Sequence, residues 1–160
     1  MPLIVSACNV ESTPGCGRGL VAARDTRAGD VLFRESAYAC VVNQDQAKVR
    51  CHCCFRTAEE AGVETLLRCS RCKYARYCTA EHQRAAWAGG EGSGGCGHRH
   101  ECAWLQAVAP RRPTQTIRLA ARVFKRKMEE PAAYEEHVAP LVHHWEQQGD
   151  QAVEMYSQMA

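Results

Sequence analysis

Eight cysteine and histidine residues between positions 51 and 102 stand in four pairs: Cys51-x2-Cys54, Cys69-x2-Cys72, Cys78-x3-His82 and His98-x3-Cys102. A two-residue gap lets one turn aim both side chains at a common point. A three-residue gap puts its pair on one face of a helix. Thiolates and neutral imidazoles are the ligands that zinc takes four at a time in closed tetrahedral sites. Eight of them therefore predict two zinc ions. With every position filled, no place is left for water or substrate, so both ions are expected to be structural. Spacing alone leaves the pairing open, since Cys51, Cys54, Cys69 and Cys72 also lie near known four-cysteine spacings. His52, Cys53, Cys96 and His100 sit beside the ligands at spacings that fit worse, and are read as spectators.

The chain has 160 residues, 46% of them apolar, which allows one ordinary domain or two small ones around a modest core. Residues 1–10 carry no charged leader and no long apolar run, so secretion is not expected. Without a run of about 20 apolar residues, no membrane span is expected either. Eleven cysteines in such a chain point to a reducing compartment, with thiols held by metal rather than by disulfides.

The net charge of +2 hides an asymmetry. Residues 1–127 hold all 20 Lys and Arg against 11 acids, and residues 128–160 hold seven acids and no Lys or Arg. Six ligand thiolates and two Zn²⁺ would bring the total to about zero. The basic part can meet nucleic acid or pair with the acidic tail.

The fold class expected is α+β. Residues 3–42 read as short strands and turns: Gly15, Gly17 and Gly19 interrupt the chain, and residues 26–30 turn at Gly29. Residues 31–33 and 38–42 are β-branched and aromatic enough for strands. Residues 43–48 form a polar exit. Thr79 is placed to cap a helix that runs through Trp87 and stops at Gly89-Gly90. Residues 89–97 are glycine-rich and read as flexible, and residues 103–109 continue helically to Pro110. Thr114 caps a longer helix reaching about Met128. There, Ile117, Ala121, Phe124 and Met128 recur at helical spacing, with Arg118, Arg122, Lys125 and Arg126 between them, which predicts an apolar core face and a solvated basic one. Residues 132–148 are expected to be helical, with a break at Pro140. His143 and His144 there read as surface residues. Val153, Tyr156 and Met159 suit one face of a last short helix.

The whole pattern, with Tyr74, Tyr77 and Trp87 inside it, resembles the MYND zinc finger. His82 stands where that family usually has cysteine. The 15 residues between His82 and His98 are about twice the usual gap, which costs little, since doubling a flexible loop adds only about 0.6 kcal/mol. The resemblance implies interleaved sites: Cys51, Cys54, Cys78 and His82 on one zinc, Cys69, Cys72, His98 and Cys102 on the other.

Residues 17–22 and 26–35, before the finger, resemble the opening of a SET domain, and residues 113–122 resemble the helix that follows the finger in SET-and-MYND (SMYD) protein lysine methyltransferases. That resemblance implies three regions. Residues 1–48 would be the N-terminal part of a split SET domain, residues 49–103 the finger, and residues 104–160 a helical region with an acidic tail. It also implies that Gly17, Arg18 and Gly19 contact S-adenosylmethionine, with Cys16 where a basic residue is common. Proline-containing peptides, and histone or other protein lysines, are the partners it implies, with placement in nucleus and cytoplasm.

Two features limit the enzymatic expectation. The family's catalytic half carries an Asn-His-Ser-Cys motif, whereas the only asparagines here are Asn9 and Asn43. The later cysteine-rich zinc site is missing as well. Methyl transfer needs amine and sulfonium held in near-attack geometry, so these residues alone are expected to be inactive, as the front part of a longer enzyme. The alternative is a non-enzymatic adaptor in transcriptional regulation. It would bind peptides near Tyr74, Tyr77 and Trp87, or DNA through Arg68, Arg71, Lys73, Arg76 and Arg84. Tyr74, Tyr77 and Trp87 can equally be packing around the metal sites.

Overall fold

The computed structural model describes residues 5–89, 97–141 and 149–157. Most of the glycine-rich tract, Cys96, His143, His144, residues 142–148 of the helix expected over 132–148, and Met159 lie outside them. Helices and small antiparallel sheets are mixed along the chain.

Four strands come first: β1 (Val5–Ser6), β2 (Cys8–Thr13), β3 (Gly17–Ala22) and β4 (Phe33–Arg34). β2 and β3 form a hairpin running from Cys8 opposite Ala22 to Thr13 opposite Gly17. Its turn holds Gly15 at φ 77° and Gly17 at φ 74°, values that only glycine takes without a Cβ penalty. β1 pairs with β4, Val5 facing Arg34. The turn at residues 27–30 is closed by the Asp30 amide on the Arg27 carbonyl and by the Arg27 amide on Asp30 Oδ2, both at 3.0 Å. The ribbon buries little; Val10 and Leu20 are 66% and 52% exposed.

The core lies in the finger instead. Cys51, Cys69, Cys72, Cys78 and Cys102 cluster with Ala75, Tyr77, Ala86 and Leu105. Strands β5 (Leu67–Arg68) and β6 (Arg76–Tyr77) form a short ribbon there. Helix α1 (Ala80–Ala88) starts at Thr79, whose hydroxyl accepts from the His82 amide, and stops at Gly89, which sits at φ 77°. Helix α2 (His98–Ala107) begins right after Gly97. A Cβ at Gly97 would lie 2.6 Å from the Trp87 carbonyl oxygen. Only a residue without a side chain lets α2 start this close to the end of α1. α2 ends at Ala107, two residues before the expected limit.

Helix α3 (Gln115–Glu129) follows, capped by Thr114, then α4 (Pro131–His137) and α5 (Asp150–Ser157). α4 ends before Pro140, as the break expected there requires. Among the described residues no helix is long and apolar enough to cross a membrane.

Two expectations are corrected. Residues 38–42 make no strand, and residues 31–33 contribute only Phe33 to one. More consequentially, α3 is turned the other way round. Arg118 and Arg122 are 1% and 5% exposed, while Ile117, Phe124 and Met128 are 44%, 64% and 79% exposed.

The missing strand over residues 38–42 and the orientation of α3 have one cause. The Val42 carbonyl accepts from Arg118 Nη1 at 3.3 Å, Cys40 from Arg122 Nη1 at 2.7 Å, and Tyr38 from Arg126 Nη1. Four residues of helix advance about 6 Å, and two residues of extended chain about 6.6 Å. Arginines at i, i+4 and i+8 therefore keep step with alternate carbonyls. Segment 38–42 has its acceptors satisfied by a comb of guanidinium groups where a strand would use a neighbouring backbone. α3 must then turn its arginines inward.

Candidate metal centre

Two knuckles supply the first ligand pairs. In each, the residue after the second cysteine donates its amide to the carbonyl of the first: Phe55 to Cys51 at 2.9 Å, Lys73 to Cys69 at 3.1 Å. Closing so tight a loop forces Phe55 and Lys73 to φ 63° and 56°, the left-handed region that non-glycine residues enter at a cost. The helices supply the rest. Cys78 and His82 straddle the start of α1, and His98 and Cys102 share one face of α2.

The structure gathers these side chains into two clusters, Cys51, Cys54, Cys78 and His82, and Cys69, Cys72, His98 and Cys102. Within each, the candidate ligand atoms lie within 4.8 Å of one another. First pair meets third and second meets fourth, so the sequential grouping is not formed. A tetrahedral zinc with sulfur at about 2.3 Å and nitrogen at about 2.0 Å would hold its ligands about 3.8 Å apart for S···S and about 3.5 Å for S···N. Cys54 Sγ to Cys78 Sγ is 3.7 Å, and Cys69 Sγ to Cys102 Sγ is 3.9 Å. Cys51 Sγ to His82 Nδ1 is 3.9 Å, and Cys72 Sγ to His98 Nε2 is 3.4 Å. Cys78 Sγ and His82 Nδ1 are closer, at 2.8 Å. The donors fit a tetrahedral dication, and the two clusters present opposite ring nitrogens to it.

Electrostatics points the same way. Burial pushes the Cys51 thiol up, but backbone amides of Cys54, Cys53 and Cys78 outweigh it and lower the thiol below its ordinary value. Burial likewise opposes ionisation of Cys72, yet the His98 contact and the Ala75 and Tyr74 amides bring it down to about 6. Cys78 and Cys102 are pushed up to about 12, by burial first and then by the neighbouring sulfurs. Ionising Cys78 and Cys102 therefore needs a further positive charge, which a bound dication would supply.

Comparison with known proteins agrees with this geometry. Residues 51–102 match the MYND finger family. The chain is 38% identical over 120 residues to the histone-lysine N-methyltransferase Smyd1 of Mus musculus, covering 74% of this chain and 22% of that protein. It is 36% identical over 119 residues to the mouse histone-lysine N-methyltransferase SMYD3, covering 74% of this chain and 25% of the relative. To the N-lysine methyltransferase SMYD2 of Rattus norvegicus it is 39% identical over 116 residues, 71% of this chain and 24% of the relative. The chain belongs to the SET-and-MYND family. It aligns with about a quarter of the length of these relatives.

Within this family finger the neighbours of the ligands have other partners. His52 is buried with Nε2 3.0 Å from the Ala47 carbonyl, and burial holds its pKa down to about 4. His100 Nε2 lies 3.5 Å from Glu129 Oε1. Cys53 is buried, outside both clusters, with its thiol pushed up to about 11 by burial and then by Cys51 and Cys54. Tyr77 is 1% exposed, edge-on to His52 and His98, so it packs the interior and lines no groove. Tyr74 is half-buried, with the Arg112 and Arg118 guanidiniums 5.4 and 4.9 Å from its ring centre, while Trp87 stays 36% exposed under Arg71. Of the residues considered for DNA, Arg68, Arg71, Lys73 and Arg84 are exposed and Arg76 is partly buried.

Gly17, Arg18 and Gly19 are not a free loop but the first half of β3, facing Thr13, Ser12 and Glu11. A Cβ at Gly17 or Gly19 would meet nothing within 4 Å. Arg18 Nη2 donates to the Pro140 carbonyl at 2.8 Å.

Sequence reasoning missed Glu101. It is 3% exposed, accepts from Arg118 Nε, and takes Arg122 Nη2 at 2.7 Å. Burial would raise its pKa, but the His98 contact and the Arg122 and Arg118 charges prevail and hold the carboxyl far below the ordinary range. The available signal was its position, three residues after one ligand on the same helix and directly before another.

Proposed function

We propose that this chain is the two-zinc MYND module of a SET-and-MYND type protein lysine methyltransferase. Cys51, Cys54, Cys78 and His82 would bind one structural zinc, and Cys69, Cys72, His98 and Cys102 the other. The observation that carries this is the pair of interleaved Cys3His clusters at tetrahedral ligand spacing. The zinc ions would do no chemistry on a substrate; each ties a knuckle to a helix in a domain too small to do so by apolar burial alone.

Residues 1–48 and 104–160 would be the parts of a SET domain and its helical insert that flank the finger, residues 49–103. In that arrangement Gly17, Arg18 and Gly19 form one side of an S-adenosylmethionine site whose remainder these 160 residues do not contain. No step of methyl transfer is assigned to them. Incubation with radiolabelled S-adenosylmethionine and histones is expected to give no transfer, and measurable transfer would overturn that part of the proposal.

A second role, as a docking module, is favoured by the exposed Trp87 with Arg71 over its ring. A cationic, aromatic surface suits a proline-containing peptide of a partner protein. Fluorescence anisotropy against such a peptide and against duplex DNA ranks the two, with peptide binding lost in Trp87→Ala and DNA binding falling steeply with salt.

A further inference from the structure

The two histidines among the proposed ligands are supported differently. His82 turns Nδ1 to its cluster. His98 turns Nε2 to its own, which leaves Nδ1 on the far side of the ring, 3.9 Å from Glu101 Oε2. Both partners are almost wholly buried, at 4% and 3% exposure, and α2 sets them three residues apart on one face. A metal-bound histidine is commonly held by a carboxylate on its other nitrogen, which fixes tautomer and ring orientation. A carboxylate buried for that purpose must itself be compensated. Arg118 and Arg122 supply the compensation, one on each oxygen.

We propose that Glu101 is a positioning residue of the second metal site, holding His98 as the tautomer with a proton on Nδ1 and Nε2 free for the metal, and that Arg118 and Arg122 hold Glu101 for that role. The support of the second site is then shared with the guanidinium comb that binds residues 38–42. The first site has no part in it. The inference rests on zinc occupying the Cys69–Cys72–His98–Cys102 cluster.

Two measurements test it on the full zinc-loaded chain. Long-range ¹H–¹⁵N correlation spectra report histidine tautomers directly. His98 is expected to carry its proton on Nδ1 and His82 on Nε2, and a His98 proton on Nε2 overturns the proposal without any variant. Chelator competition then resolves the two zinc affinities. Glu101→Ala and Glu101→Gln are expected to weaken one zinc 10- to 100-fold, the usual cost of removing such support, and to leave the other unchanged. Glu101→Gln, which keeps an acceptor for Nδ1–H, should lose less. Should Glu101→Ala fail to fold, Glu101→Gln and Arg122→Lys carry the comparison, and Arg122→Lys should also weaken one zinc only. Equal weakening of both sites, or of neither, overturns the proposal. If the parent chain holds no zinc, the metal reading fails and takes this inference with it; two zincs with unaltered affinities in every variant would refute the role of Glu101 alone.

Discussion

Arg122 Nη2 meets Glu101 Oε2 at 2.7 Å with both side chains inside the protein, 6% and 3% exposed. Helices α2 and α3 are joined there by charge, and the apolar residues of α3 face outward. The arrangement reverses what the spacing of Ile117, Phe124 and Met128 suggests. It makes the arginines, and not the hydrophobic stripe, the residues whose loss is costly.

Arg122→Ala is expected to destabilise the zinc-loaded chain by about 3–5 kcal/mol, the cost of stranding one member of a buried ion pair. Phe124→Ser, on the exposed face, should change stability by no more than about 0.5 kcal/mol. Urea unfolding of the two variants decides the orientation of α3. If Phe124→Ser were the more damaging, the apolar face would be the buried one.

Gly97→Ala puts a methyl 2.6 Å from the Trp87 carbonyl oxygen and should cost about 1–3 kcal/mol, as overpacking does. Gly19→Ala, where a Cβ meets open space, should cost about 0.5 kcal/mol or less. Thermal melts of both variants give the comparison, and equal melting temperatures would show that α2 does not start against the end of α1.

Lys73 holds φ 56° in the second knuckle. Replacement by glycine relieves a left-handed strain of about 1–2 kcal/mol and adds unfolded-chain freedom worth about 0.5–1 kcal/mol. Lys73→Gly should therefore stabilise by up to about 1 kcal/mol, and Lys73→Val should destabilise. A Val variant as stable as the Gly variant would place the residue outside the left-handed region.

His52 supplies a pH dependence. Burial lowers its pKa from 6.5 to about 4, partly opposed by the Ala47 carbonyl and reinforced by Arg118. The unfolded chain takes up this proton near pH 6.5, and the folded chain only near pH 4. Stability from this residue is thus present above pH 6.5 and is lost as pH falls from about 6.5 towards 4. Between pH 7 and pH 5 the parent should lose about 2 kcal/mol more than His52→Gln, which has no group to titrate. Denaturant melts at the two pH values measure the difference, and parallel losses would mean that His52 is not buried as the neutral ring.

Much of this was legible in the sequence because it is local. The ligand pairs announce themselves by spacing, Thr79 and Thr114 by their place before helical residues, and Gly89 by ending one. What stayed hidden depends on partners far along the chain. Residues 38–42 have strand composition, but their carbonyls are taken by side chains 76 to 88 positions away. Helical periodicity identified α3 and its two faces, yet it assigns the apolar face inward by default. It could not show that the surface waiting for α3 was a carboxylate and a row of carbonyls. Glu101 has a local mark, its place between His98 and Cys102 on one helix, but the arginines that compensate its burial lie 17 and 21 positions away.

The central claim is that two zinc ions sit in interleaved sites, and metal counting by native mass spectrometry tests it most directly. The parent chain should carry two zinc ions. The double variant Cys54→Ser, Cys78→Ser removes two ligands from a single site under interleaved pairing and should keep one zinc. A parent without zinc, or a double variant that keeps none because its substitutions fall on both sites, would contradict it.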